Sequence, residues 1–289
     1  MLEGSIVALS TPFTDDGVNE KTLIELFELH NHSGTSAVLI FGTTGESPNI
    51  RENERKRMME LAKEHLKIPV IAGAGTNSTE KTIKLAKEAE SFGMDYLLVI
   101  TPYYNKPTQE GLYRHFKAVA EEVSTPIIIY NVPGRTGVNI LPETVARLSE
   151  FNNIVGIKEA SGNLLQMTEI ISMTPSDFVL LSGDDMLTLP IISIGGKGVI
   201  SVTANIAPKE VAELCKLALS GRYEEARKLH ERLYYLSKAM FIETNPIPVK
   251  TALSMLGYDM GPLRPPLCPM REENREKLKK ALRNFGFNV

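Results

Sequence analysis

Eight short apolar runs recur along the chain, at residues 5–9, 37–41, 69–72, 96–100, 126–130, 154–158, 178–182 and 198–201. Each is rich in leucine or β-branched residues, and most are closed by Gly, Thr, Ser, Asn or Pro. Continuous apolarity, rather than alternation, is expected of parallel strands covered on both faces. Helical spacing fills the gaps. Leu23, Leu26, Phe27 and His30 form one stripe, and Ile83, Ala86, Ala89 and Phe92 a weaker one. Ser78 is placed to cap a helix over 79–92, Thr108 one running to Val123, and Pro142 suits the first turn of a helix towards Leu148. The alternation predicts a (β/α)8 TIM barrel, with a doubly wound open sheet as the rival.

After the eighth run the pattern is wholly helical, over 208–219, 223–240, 248–256 and 272–285. One of these completes the barrel. The expected organisation is a barrel over 1–225 and a C-terminal helical extension over 226–289, packed on the barrel because no Gly- or Ser-rich linker divides them. A length of 289 residues suits this arrangement, since such barrels use about 250. The 43% hydrophobic content supplies a large core without disulfide or metal staples. Net charge is −3 with the signs interspersed, which argues against a nucleic-acid surface.

Cys215 falls on the apolar face of a helical stripe and Cys268 in a proline-rich segment; two cysteines make no disulfide framework, though the sequence leaves their pairing open. No metal-ligand spacing is evident. The N-terminus lacks a basic region followed by an apolar stretch, and no apolar run approaches the roughly 20 residues of a membrane span. A cytoplasmic protein with no membrane partner is expected.

In such a barrel the chemistry lies at the C-terminal ends of the strands. Lys158 ends the apolar run Ile154-Val155-Gly156-Ile157, and Tyr130 ends Ile127-Ile128-Ile129 on the preceding strand. A buried strand has little use for an amine or a phenol. Alternation places Lys158 on the face of Ile154 and Gly156. Desolvation there would raise the neutral fraction able to attack a carbonyl, with Tyr130 moving protons; a structural lysine at a strand end is the alternative.

Three further turns are candidates. Gly42-Thr43-Thr44-Gly45-Glu46-Ser47 offers hydroxyls and backbone N–H groups to a carboxylate, or is an ordinary polar turn. Tyr103 and Tyr104 sit between Pro102 and Pro107 in a stiff loop that reads, by itself, as an interface. Arg135, in a glycine-flanked turn, either clamps a carboxylate or is solvated. Asp184 and Asp185, with Glu46 or Glu159, raise a magnesium alternative, but they read better as a turn and helix start.

Taken together and in order, these motifs resemble the dihydrodipicolinate synthase family over nearly the whole chain. They are joined by Gly156-Ile157-Lys158-Glu159, Ser182-Gly183-Asp184-Asp185, Gly198-Val199-Ile200-Ser201 and Asn245-Pro246-Ile247-Pro248-Val249-Lys250. The resemblance implies a Schiff base between Lys158 and pyruvate, whose enamine attacks L-aspartate 4-semialdehyde. It implies proton relay by Tyr130, Thr43 and Tyr104, the last from a neighbouring subunit of a homotetramer built as a dimer of dimers. Thr44 and the backbone near Ile200 would position pyruvate, Arg135 would hold the semialdehyde carboxylate, and Gly183 would be a further substrate-binding residue. Neither an organic cofactor nor a catalytic metal is implied. Related sugar-acid aldolases share the lysine and tyrosine, but Thr43, Tyr104 and Arg135 match the synthases. At the positions where lysine-inhibited members bind their effector, this chain carries Glu52, Arg55 and Lys81, so weak or absent lysine feedback is expected.

Overall fold

Strand and helix alternate as the apolar pattern requires, and the computed structural model describes residues 2–289. In chain order the elements are β1 (Gly4–Ala8), α1 (Glu20–Asn31), β2 (Ala37–Ile40), α2 (Glu52–His65), β3 (Val70–Gly73), α3 (Thr79–Ser91), β4 (Tyr96–Ile100) and α4 (Gln109–Ala120). There follow β5 (Ile127–Asn131), the single turn α5 (Pro133–Thr136), α6 (Pro142–Leu148), β6 (Ile154–Glu159), α7 (Leu164–Met173), β7 (Val179–Ser182), α8 (Thr188–Ser193) and β8 (Gly198–Ser201). Helices α9 (Pro208–Leu219), α10 (Tyr223–Ala239), α11 (Ile247–Met255) and α12 (Glu272–Phe285) complete the chain. The strands close in sequential order, β8 pairing in parallel with β1, so the open-sheet rival is excluded.

Closure separates two apolar layers. On β1, Ile6 and Ala8 turn inward, while Val7 packs outward beneath the helices. Each fully buried Leu or Ile contributes about 1.5–3 kcal/mol, and both layers are dense in them. Ser78 and Thr108 cap their helices as expected, their side chains accepting from Lys81 N and Gly111 N. Helix α4 ends three residues short of Val123. The Asn153 amide donates to the Ala120 and Val123 carbonyls at 2.9 and 2.8 Å, replacing helical partners there.

One face assignment is corrected. Between β5 and β6 the register slips, pairing Ile127 with Ile154 but Ile128 with Gly156. This bulge makes Val155 the extra residue. Ile154 therefore packs outward and Val155 inward, so strict alternation fails at the foot of the strand that carries Lys158. Helix α10 packs on α9 and α12, and α11 on α12, which brings the C-terminal helices against the barrel. Cys215 is buried in α9, Cys268 is exposed, and both are free thiols.

Candidate active site

Lys158 and Tyr130 stand in register on adjacent strands, both buried. The Lys158 amine lies 4.3 Å from the centre of the Tyr130 ring. Among the described residues the amine has no ion-pair or hydrogen-bond partner in direct contact, and the Asp185 carboxylate acts on its charge only through space. Burial pushes its pKa down to about 7; Asp185 pulls upward and Arg135 adds to the depression. Near neutral pH a large share of the amine is thus the free base, which is the nucleophilic form. The Tyr130 phenol is pushed up by burial, with Arg135 and the Thr43 hydroxyl opposing. It therefore stays protonated at neutral pH, ready to donate.

A cavity of about 690 Å³ opens beside Tyr130. Thr43, Tyr130 and Arg135 line it, as do Tyr103 from the β4 loop and Thr244, Asn245 and Pro246 from the segment before α11. The loop after β2 is held in an unusual shape. Phe41 and Glu46 have φ of 59° and 54°, and Tyr104 and Lys106 in the loop after β4 have 73° and 45°. Among the described residues, these four are the non-glycines with clearly left-handed backbone, and all sit on the catalytic rim. Such conformations cost about 1–3 kcal/mol each and persist where surroundings over-determine them.

The surroundings of Glu46 are visible. Its carboxylate is buried and accepts from Lys250 Nζ at 2.8 Å and Arg264 N at 3.0 Å. Lys250 also donates to the Pro262 carbonyl at 2.8 Å and lies over the Phe13 ring at 4.3 Å. The neighbouring Thr44 is buried, and its hydroxyl accepts from the Asn245 amide at 3.0 Å. The Asn245 main-chain carbonyl in turn accepts from Arg135 Nη2 at 3.4 Å. The Asn245–Lys250 motif carries no local sign of this task, because its partners lie two hundred residues away.

Gly183 and Ile200 lie on the same rim. A Cβ on Gly183 would meet Ala160 Cβ at 2.6 Å and Lys158 Cε at 3.2 Å, so only glycine lets the β7 turn close over the lysine stem. Ile200 is buried in the inner layer. Asp184 caps the turn it begins, accepting from Met186 N at 2.9 Å. Asp185 opens the short helical turn, as expected, and does more besides. It is buried and turned towards β8, accepting from Ser201 Oγ, from Val202 N at 2.9 Å and from Thr203 N at 3.2 Å. Its oxygens thus brace the turn after Ile200. No group of three or more His, Cys, Asp or Glu placed to hold a metal occurs among the described residues.

Tyr104 lies in the loop after β4. It is 87% exposed and does not line the cavity of its own chain, unlike Tyr103. Glu52, Arg55 and Lys81 line the far end of the same cavity. Arg55 is buried against the Phe41 ring at 4.0 Å, with Glu88 at 3.6 Å.

The sequence model of the family described as "Dihydrodipicolinate synthetase family" matches residues 1–285. The chain is 53% identical over 291 aligned positions to a 4-hydroxy-tetrahydrodipicolinate synthase of Persephonella marina, covering 99% of each. It is also 53% identical to one of Sulfurihydrogenibium sp., again with 99% of each covered. Among solved structures, it resembles dihydrodipicolinate synthase of Aquifex aeolicus with a TM-score of 0.96 at 49% identity, covering 98% of each chain.

Proposed function

The chain belongs to the dihydrodipicolinate synthetase family, and from that premise we propose how its own residues carry out 4-hydroxy-tetrahydrodipicolinate synthesis. The reaction is a lyase-class, Schiff-base condensation of pyruvate with L-aspartate 4-semialdehyde, on the way to lysine and diaminopimelate. The observation that carries the residue assignments is the buried, unpartnered amine of Lys158 against the ring of Tyr130, which itself lines the rim cavity.

Lys158 Nζ attacks C2 of pyruvate, and the carbinolamine loses water to give an iminium. Loss of a proton from C3 yields the enamine, whose C3 attacks the semialdehyde carbon while the aldehyde oxygen takes a proton. The semialdehyde amine then adds to the iminium carbon, closing the ring and expelling Lys158. One water leaves overall. Tyr130 and Thr43 move the protons, a task suited to a phenol kept protonated by burial. Thr44, Gly183 and the turn at Ile200 hold pyruvate, and Arg135 holds the semialdehyde carboxylate.

Tyr104 completes the relay from a second copy of the chain. Its exposure and its position outside its own cavity support that assignment. The proposal therefore requires at least a dimer and extends to a homotetramer made of two such dimers, acting in the cytoplasm. Residues 226–289 are then an extension serving the barrel of 1–225 rather than a separate unit. No helix among the described residues is long and apolar enough to cross a membrane.

Two assays test this. Incubation with pyruvate and borohydride, followed by peptide mass analysis, is expected to find the reduced adduct on Lys158; an unmodified Lys158 overturns the assignment. Turnover of pyruvate with aspartate semialdehyde is expected to exceed that with glyceraldehyde by orders of magnitude, and the reverse order would make the chain a sugar-acid aldolase.

A further inference from the structure

Resting on the pyruvate reading above, we propose that Asn245 is a positioning residue that sets Thr44 as a hydrogen-bond donor to the pyruvate carboxylate. A threonine hydroxyl has one proton and two lone pairs, so it can serve a substrate either as donor or as acceptor. Asn245 decides which. Its amide donates to Thr44 Oγ1 at 3.0 Å, occupying the acceptor side and leaving the hydroxyl proton free to be donated to substrate. A carboxylate only accepts, so this is the polarity it requires. The line from amide to hydroxyl to carboxylate also polarises each bond in the same sense.

The contact is built rather than incidental. Asn245 is buried, and Thr44 is the only hydrogen-bond partner of its side chain among the described residues; its Oδ1 is buried without one. An asparagine kept for packing alone would satisfy both ends of its amide. The two segments are bolted together just beyond the contact: Glu46, two residues past Thr44, holds Lys250, five residues past Asn245, at 2.8 Å in a fully desolvated pair. Asn245 also reaches the other binding group, since its main-chain carbonyl receives Arg135 Nη2. Its side chain and its backbone thus serve two different binding groups, and they can be separated by mutation.

The test compares wild type with Asn245→Ala, Asn245→Asp, Thr44→Ala and the Thr44→Ala/Asn245→Ala double variant, measuring kcat and the KM of each substrate. Asn245→Ala is expected to raise the pyruvate KM about fivefold, the scale of one hydrogen bond. It should leave the semialdehyde KM within about twofold, because the carbonyl under Arg135 survives. The isosteric Asn245→Asp accepts the Thr44 proton instead of donating, so its pyruvate KM rises further, by more than about tenfold. The double variant should match Thr44→Ala alone, because Asn245 acts through that hydroxyl. Equal rises in both KM values, an unchanged pyruvate KM, or multiplying effects in the double variant would each overturn the proposal. Should the alanine variant not fold, the isosteric aspartate decides by the same criterion. Borohydride trapping on the wild type separates the two levels: no adduct there refutes the pyruvate reading itself, whereas an adduct with an unchanged pyruvate KM in Asn245→Asp refutes only the role of Asn245.

Discussion

Two lysines are buried in this molecule to nearly the same degree, Lys158 at 6% exposure and Lys250 at 2%, yet their surroundings make them opposites. Lys158 sits at the barrel mouth with an aromatic ring and no acceptor, and burial takes its pKa to about 7. Lys250 sits in the seam between the β2 loop and α11. Burial lowers its pKa too, but Glu46 pulls the other way. Desolvation is shared; the partner is not. A buried amine is poised as a nucleophile where no carboxylate touches it, and becomes a clamp where one does.

The contrast can be broken in four ways. The largest effect is expected from Lys158→Met, which should lower turnover by about 10⁴-fold or more and abolish the borohydride adduct. Its thermal midpoint should be no lower than wild type, because an apolar chain replaces an unpartnered buried amine. Next, Lys250→Met strands the Glu46 carboxylate and should cost about 3–5 kcal/mol of stability by urea unfolding. Adding Glu46→Gln should recover most of that loss. A loss under about 1 kcal/mol would mean that Lys250 is no clamp.

Titration gives the third. The rate of imine formation should rise with pH through about 7 as Lys158 loses its proton. Asp185→Asn should move that rise to lower pH, because the Asp185 charge holds the amine pKa up. The stability consequence follows in sign. The folded pKa lies below the unfolded value of about 10.5, so between about 7 and 10.5 the unfolded chain binds a proton that the folded chain does not. Stability contributed by this group therefore increases with pH across that window. Urea unfolding of wild type against Lys158→Met should show the difference growing in favour of wild type; a flat difference would contradict a depressed pKa. The smallest effect concerns the far end of the cavity, where the cations Arg55 and Lys81 face any incoming ammonium. Millimolar lysine should change the rate by less than about twofold, and strong inhibition below that range would overturn the expectation.

Much of the scaffold was legible because its signals are local. All eight strands fall within a residue or so of their apolar runs, since continuous apolarity marks a strand buried on both faces. Ser78 and Thr108 announced their helices by their own chemistry. Helix α2 was less visible: its surface is dense with charge, and one of its inward positions is Arg55 rather than an apolar residue. The bulge at Val155 was invisible, because register is a property of two strands and not of either alone. Asp184 and Asp185 form the turn and helix start that their chemistry suggests, but the bonds of Asp185 to the β8 turn exist only once β7 and β8 lie side by side.

By itself, the sequence determined the eightfold repeat, the placing of Lys158 and Tyr130 at strand ends, and the order of motifs that marks the family. Only the tertiary structure decided that Lys158 is buried without a contacting acceptor while Lys250 meets Glu46, that Asn245 stands behind Thr44 across 201 residues of chain, and that Tyr104 is exposed and does not line the cavity of its own chain. Periodicity and capping are written within a few residues of where they act. Desolvation and hydrogen-bond partnership depend on what barrel closure brings alongside, and that is set by segments far apart in the chain.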